Sequence, residues 1–272
     1  IRPKNGAASR DLSATIRTTT AVPEGRAGLA YPEVPHGKGL TETVYLCGLR
    51  QNAQDRSNVA LVNIGTPDAG DIVLRLPVVS GDPSRPGEKT LTPIRLSPGG
   101  FTQITQILMS NGLEFTNGFV KVERIEGTAS FYAYAVINDQ GTSDGSFVPP
   151  VAEMWMKGRV GMTIPVMVET SSFSSELVLT NWSRSMKTLR LRFVADAVSN
   201  ADKTAETLVA LRASEQLILP DFVNYLRDRS VPGIGPAESG FTGALFIEVI
   251  GDDGDGLFAG ARTSSPGGKG RY

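Results

Sequence analysis

The chain consists of short apolar stretches separated by polar turns rich in Gly and Pro, a pattern typical of β-strands joined by tight turns. The stretch Ser57–Gly65, SNVALVNIG, has a counterpart at Ser175–Ser183, SELVLTNWS. Asn63 and Asn181 fall at matching places 118 positions apart, and a large apolar residue follows each of them. Because the segments around these two stretches recur in the same order, the sequence predicts a tandem repeat.

Each predicted unit has about seven short strands and little helix, which favours a β-sandwich. The predicted strands of the first unit are Thr43–Arg50, Ser57–Gly65, Asp71–Ser80, Leu91–Leu96, Phe101–Ile104, Gly118–Ile125 and Phe131–Ile137. Those of the second unit are Gly161–Glu169, Ser175–Ser183, Thr188–Asp196, Leu208–Leu211, Gln216–Leu219, Gly243–Ile250 and Leu257–Thr263. Arg75 and Arg192 each stand between two apolar residues, so we expect their side chains to point to solvent. A short helix is predicted over Pro220–Arg227, with Phe222 and Leu226 on one face.

A strand that opens into a Gly/Ser/Thr-rich loop occurs three times, at Ile16-Arg17-Thr18, Val136-Ile137-Asn138 and Ala261-Arg262-Thr263, whereas the rest of the unit occurs twice. We therefore expect residues 1–35 to be a terminal strand and loop related to a preceding repeat, 36–152 to be the first β-sandwich repeat and 153–272 the second. On this hypothesis further copies flank the chain on one or both sides.

Charge and hydropathy exclude several kinds of partner. The 272 residues carry 27 Lys+Arg against 28 Asp+Glu, a formal net charge of −1, with no long run of one sign. The footprint of a nucleic-acid or anionic-membrane partner is therefore missing. The longest apolar run, Phe131–Ile137, is too short to cross a bilayer. We expect no nucleic acid and no transmembrane segment.

Candidate catalytic residues are scarce. The one histidine, His36, lies in a predicted linker, where a general base is poorly held. The one cysteine, Cys47, excludes an internal disulfide and reads as a small apolar strand residue. One His and one Cys do not make a zinc site. The sequence predicts that the chain is not an enzyme.

The segment from 251 to 256, GDDGDG, offers a calcium candidate through Asp252, Asp253 and Asp255. Carboxylates spaced by glycine can surround a hard cation, but the closing glutamate of an EF-hand is missing. Asp-Gly between two strands is also preferred hairpin-turn chemistry, which we favour. Apart from this calcium candidate, no cofactor is predicted.

Two tryptophans are candidates for packing or for ligand binding. Trp182 takes the place of Ile64 in the repeat, so we expect it in the core. Met154, Trp155 and Met156 lie in the segment that joins the units, where we expect them to pack between the units. The alternative is that Trp155 is exposed and stacks on a sugar.

The units resemble the immunoglobulin-like β-sandwich repeats of secreted or cell-surface multidomain bacterial proteins. Asn63-Ile64-Gly65, Leu96–Gly100 and Gly118–Glu123 carry the resemblance, and the second unit departs from it at Ser183, Ala213, Ser214 and Glu215. The resemblance implies an all-β fold of two tandem immunoglobulin-like sandwiches related by internal duplication. It also implies an extracellular or cell-envelope location and brings no catalytic residues.

Three functional hypotheses follow. The first is a non-catalytic structural or interaction module, a spacer or adhesive pair of sandwiches, whose partners are neighbouring repeats of the same chain and a protein or glycan. The second is a carbohydrate-binding accessory domain of a secreted hydrolase, with or without calcium. An enzyme built on a sandwich is the third, and the missing motifs disfavour it. Fold alone does not choose among them.

Overall fold

The computed structural model describes residues 13–22, 25–35, 37–196, 204–236 and 240–265. Within these ranges nearly all of the regular secondary structure is β-strand, which confirms the predicted all-β class. The strands of the first half are β1 Thr15–Val22, β2 Gly25–Pro32, β3 Val44–Arg50, β4 Asp55–Asn63, β5 Ile72–Arg75, β6 Pro77–Ser80, β7 Glu88–Thr90, β8 Ile94–Leu96, β9 Phe101–Ile104, β10 Asn117–Glu126, β11 Phe131–Asp139, β12 Gly145–Val148 and β13 Val151–Ala152.

The second half has seven described strands and one α-helix. They are β14 Gly161–Glu169, β15 Ser174–Asn181, β16 Lys187–Ala195, β17 Thr204–Leu211, β18 Gln216–Leu219, α1 Phe222–Asp228, β19 Phe241–Ile250 and β20 Leu257–Ser264. The side chain of Asp221 caps α1 by accepting from the Asn224 amide at 3.0 Å. Phe222 and Leu226 are buried as predicted, although α1 starts two residues later than expected.

Unit one, residues 37–152, is a sandwich of two antiparallel sheets. The first runs β13-β3-β10-β5-β8, with β6 paired to β10 and β7, and the second runs β12-β11-β4-β9. Their inner faces meet in one apolar core, where Leu46 and Val120 of the first sheet and Leu61 and Ala133 of the second are all fully buried. The period-two alternation of apolar residues along β10 and β11 is what places these side chains inside.

Unit two, described over residues 153–196, 204–236 and 240–265, has a separate core. The ladder β17-β16-β19-β14 forms one layer, and β15 pairs with β18 and β20 in the other. The two layers join at the β14–β15 hairpin, where Glu169 pairs with Ser174. Arg75 and Arg192 are exposed between buried apolar neighbours, as predicted from their triplets.

The predicted loop after Ile16 is wrong, because β1 and β2 form a hairpin paired from Thr15↔Pro32 to Val22↔Gly25. Every side chain of β1 before Val22 is exposed, so beyond Ile16 no apolar alternation marked it as a strand. The predicted strand Asp71–Ser80 divides into β5 and β6, because Pro77 has no amide hydrogen to continue a ladder. Residues 1–12, which belong to the predicted terminal strand and loop, lie outside the described residues.

Asn63 and Asn181 end β4 and β15, are fully buried, and satisfy backbone groups in the same way. The Asn63 amide donates to the carbonyls of Gly70 and Leu96, both at 3.1 Å, and its Oδ1 accepts from Gly65 N at 3.0 Å. Asn181 donates to Ser185, Leu211 and Arg212 and accepts from Ser183 N at 3.0 Å. Each asparagine therefore ties a strand end to the loop on either side of it.

Replacing either asparagine should destabilise its unit strongly. Asn63→Ala or Asn181→Ala should lower the free energy of unfolding by about 2–4 kcal/mol, because buried carbonyls lose their donor. Urea unfolding with an unchanged m-value measures the loss. Asn52→Ala is the matched control. The Oδ1 of Asn52 accepts from two backbone amides in an exposed turn, and water can accept from these amides when the side chain is removed. Equal losses in buried and exposed variants would contradict this role.

Candidate functional site between the two units

The two units contact each other through the outer faces of two sheets. Unit one presents the outer face of β3, β6 and β10, and unit two presents that of β15, β18 and β20. An apolar cluster forms between them from Tyr45, Cys47 and Phe119, with Val79, Trp182 and Phe258 packed against it. This cluster is separate from the cores of the two units, so its burial stabilises their association.

Trp182 stacks on Tyr45 across this contact, with ring centroids 4.3 Å apart and an interplanar angle of 12°. It is only partly buried and belongs to neither unit core, which corrects the prediction that it is a core residue. Cys47 is buried behind the stack, as expected for a small apolar strand residue. Burial raises the pKa of its thiol, and a hydrogen bond with Thr180 only partly opposes that shift.

Gln216, at the start of β18, forms the polar centre of the contact and is 2% exposed. Its Oε1 accepts from Gly48 N at 2.6 Å and from the Thr180 hydroxyl at 2.9 Å. Its Nε2 donates to carbonyls of unit one and to Asn117 Oδ1, and its backbone carbonyl accepts from Asn117 Nδ2 at 2.7 Å. A fully satisfied buried amide fixes the position of one unit against the other.

A buried ion network lies beside Gln216. Arg50 of unit one forms a two-pronged pair with Glu176 of unit two, through Nη1 to Oε2 and through Nη2 to Oε1 at 2.6 Å. Arg262 approaches Glu176 at 3.4 Å and Asp55 at 3.6 Å. All four side chains are largely buried, so each charge depends on the others for compensation.

Neutralising the shared carboxylate should weaken the association of the units. Glu176→Gln leaves Arg50 and Arg262 with less compensation in a buried place, so unfolding should cost about 3 kcal/mol less. Urea unfolding is the measurement. Glu248→Gln is the control, because the Arg190–Glu248 pair is exposed and is expected to contribute less than about 1 kcal/mol. A Glu176→Gln loss no larger than the control would show that the buried pair does not hold the units.

A cleft of about 930 Å³ opens at the edge of the contact. Tyr45, Phe119 and Trp182 form its aromatic wall. Charged groups from both units surround them: Arg75, Glu88, Lys121, Glu123, Glu153, Lys157, Arg184 and Asp255. The combination of one aromatic face with donors and acceptors of both signs suits a polar ligand with an apolar side, such as a sugar ring.

The charges in the cleft are locally organised. Glu123 accepts from Lys121 and Arg75, both at 2.7 Å. Burial favours the neutral acid, but these two hydrogen bonds outweigh it and hold the pKa of Glu123 below its usual range. Burial, and then the carboxylate of Glu153, raise the pKa of the Tyr45 hydroxyl above its usual value. At neutral pH the wall therefore presents an ionised Glu123 and a neutral tyrosine.

The predicted joining cluster is only partly where it was expected. Met156 is buried and packs near Gly254. Met154 lines the cleft with 53% of its surface exposed, and Trp155 is 50% exposed and does not line the cleft. The expectation that all three pack between the units is wrong, because the contact is made by sheet faces instead of by the joining segment.

The aspartate-rich turn is occupied by an internal cation. Lys187, itself 4% exposed at its side chain, donates to Asp252 Oδ2 at 2.6 Å and to the Asp253 carbonyl at 3.1 Å. The hydrogen bond from Lys187 holds the pKa of Asp252 below its usual range. Asp253 Oδ1 accepts from the Asp255 amide at 2.9 Å, as in a hairpin turn. Among residues with described positions, no three His, Cys, Asp or Glu side chains come together as a metal site requires.

Sequence reasoning missed the residues that join the units. Glu176 of β15 stands at the place of Asn58, and Trp182 stands at the place of Ile64. These departures from the repeat were the signal that could have identified the contact. The partners of Trp182 and Glu176, which are Tyr45 and Arg50, lie far away in the chain, so the sequence did not connect them. His36 lies outside the described residues.

Comparison with known protein-family models and with curated proteins finds no match to this chain. No helix in the described parts of the chain is both long enough and apolar enough to cross a membrane.

Proposed function

We propose that this chain is a non-catalytic structural and interaction module in which two β-sandwich units, related by internal duplication, act as one rigid spacer or adhesive element. The buried contact around Gln216 carries the proposal. Flexible connections between domains leave the interface polar and hydrated, whereas here an amide and an ion network are enclosed and paired. A fixed angle between units is what a spacer requires.

The location and partners follow the same interpretation. The resemblance of Asn63-Ile64-Gly65 and Leu96–Gly100 to immunoglobulin-like repeats supports an extracellular or cell-envelope protein of bacterial type. The first partners of such a module are neighbouring repeats of the same chain. A protein or a glycan would bind at its exposed surfaces. We infer no catalytic role, since the cleft carboxylates Glu123 and Glu153 are already paired with Lys121 and with the Tyr45 hydroxyl.

A distance measurement between the units tests the rigidity. Spin labels placed at Arg85→Cys and Ser171→Cys, both exposed turn positions, should give one narrow distance distribution. Cys47 is buried and stays unlabelled. Adding Glu176→Gln with Gln216→Ala should broaden the distribution, whereas adding Glu248→Gln should leave it narrow. A broad distribution with the native interface would overturn the proposal.

Carbohydrate binding in the cleft is the second candidate, and the partly exposed Trp182, which stacks on Tyr45, favours it. Aromatic faces stack on the apolar side of sugar rings, and the surrounding carboxylates and guanidinium groups can bond hydroxyls. The module would then be an accessory domain of a secreted hydrolase. A calcium-dependent form would use Asp252, Asp253 and Asp255, and the first two would have to release Lys187 first.

Affinity electrophoresis in gels containing a panel of soluble polysaccharides tests this candidate. Trp182→Ala should weaken retention about tenfold, the value expected for the loss of one stacking contact. Trp155→Ala is the matched control, since this tryptophan is exposed outside the cleft. Arg184→Ala provides a second cleft variant on an exposed loop. Retention that is absent, or lost only with Trp155→Ala, would reject the cleft, and unchanged retention with a chelator would reject the calcium form.

A further inference from the structure

The sheet of unit two that packs on unit one has a counterpart of the same construction in unit one. In unit two, Thr180 of β15 pairs with Phe258 on one side and with Gln216 on the other. In unit one, Val62 of β4 pairs with Tyr132 on one side and with Phe101 on the other. Each row stands one residue before the buried asparagine that ends its strand, so the two rows occupy the same place. We call Tyr132, Val62 and Phe101 the free row.

The two rows differ in what covers them. In unit two, Thr180 is fully buried and Gln216 is 2% exposed, because unit one lies on top of them. In unit one, Phe101 is 57% exposed, and Ile64, at the place of Trp182, is 38% exposed. The free row is thus apolar where the covered row holds Thr180 and Gln216. An apolar row at this place on a surface indicates a contact that the isolated chain leaves open.

The face of unit one that covers Thr180 and Gln216, formed by β3 and β10, has a counterpart in unit two, formed by β14 and β19. In unit one, Leu46 pairs with Val120 and Leu49 with Gly118, and the register shifts between them. In unit two, Ile164 pairs with Leu245 and Met167 with Gly243, with the same shift. The bulged residues are therefore equivalent, and Val166 takes the place of Gly48.

Val166 is 53% exposed, and unit one does not cover it. A depression of about 210 Å³ opens on the same sheet, between Thr163, Arg192 and Phe246. We call Val166, Thr163 and Phe246 the free tail. The guanidinium carbon of Arg192 lies 4.7 Å from the centroid of the Phe246 ring, so the two side chains make a cation–π contact on this face.

We propose that a second copy of this chain covers the free row with its free tail, in the geometry that unit two uses on unit one. Inside the chain, Gln216 accepts a hydrogen bond from Gly48 N at 2.6 Å. The equivalent residues on the open faces are Phe101 and Val166. The places of Gln216 and of the glycine that bonds it are thus both taken by exposed apolar side chains, so the two open faces can bury apolar surface against each other. In the proposed contact, Ile64 of one copy lies against Thr163 of the next copy, at the place where Trp182 stacks on Tyr45 inside the chain.

The contact is smaller than the one inside the chain. The β1–β2 hairpin covers the other half of the sheet, where Tyr31 packs edge-on against Tyr134 at 5.6 Å and Phe147 at 6.0 Å. The association is therefore weak and depends on concentration. Because the two faces differ, it is head-to-tail and adds copies in a row instead of closing a two-fold dimer.

Sedimentation velocity of the whole chain over a wide concentration range tests the inference. The wild-type average mass should rise with concentration, whereas Phe101→Glu and Val166→Glu should each remain monomeric. Met186→Glu is the control, because Met186 is 63% exposed in the β15–β16 loop, outside both faces. It should associate as the wild type does.

Mixing the two variants separates head-to-tail from two-fold pairing. A Phe101→Glu copy keeps its tail and a Val166→Glu copy keeps its row, so the mixture should form dimers and nothing larger. Wild-type chain that stays monomeric at every concentration overturns the inference, and so does a Val166→Glu variant that associates normally. Circular dichroism confirms that each variant is folded. The outcome is independent of the inter-unit rigidity, which the spin-label distances report separately.

Discussion

The structure depends on the enclosure of one amide, that of Gln216, between two sandwiches. Its oxygen accepts from the amide of Gly48, and its nitrogen donates to the carbonyls of Leu49 and Gly118, beside the β3–β10 irregularity. Moving the units apart would expose all of these groups at once, and a small shift would leave them buried without partners. Such a contact tolerates little sliding or rotation. The aromatic stack and the ion network beside it then have fixed positions.

The same sheet design is therefore used twice with different results. In both units an asparagine at the end of a strand secures the neighbouring loops, and the strand order around it is common to both. The side chains on the outer face are free to vary, since they do not enter either core. Polar residues there join unit two to unit one, and apolar residues at the same places leave unit one open to another partner. Internal duplication is the interpretation that we propose for this arrangement.

The strands were largely predictable, whereas the site was not. The pattern of apolar residues and turns located β9, β14 and β18 to the residue, because strands and the turns that end them leave a trace in the sequence. It failed for β1, whose threonines face solvent on both sides, and for the break at Pro77. Glu176 and Gln216 gave no such trace, since a polar residue in a strand reads as solvent-facing unless the opposing unit is known. The joining segment drew attention to Trp155, but the tryptophan that joins the units is Trp182.

Cys47 lies on the hidden side of the Tyr45–Trp182 stack, and it is the chain's one thiol. Its sulfur contacts the opposing unit through Thr180, so no reagent reaches it while the units are closed. The chain thereby carries a native reporter of opening: the rate at which a thiol reagent modifies it gives the population of separated units. Oxidation of this sulfur would add a polar group to a closed apolar layer and would favour separation, which links the geometry of the pair to the redox state of its surroundings.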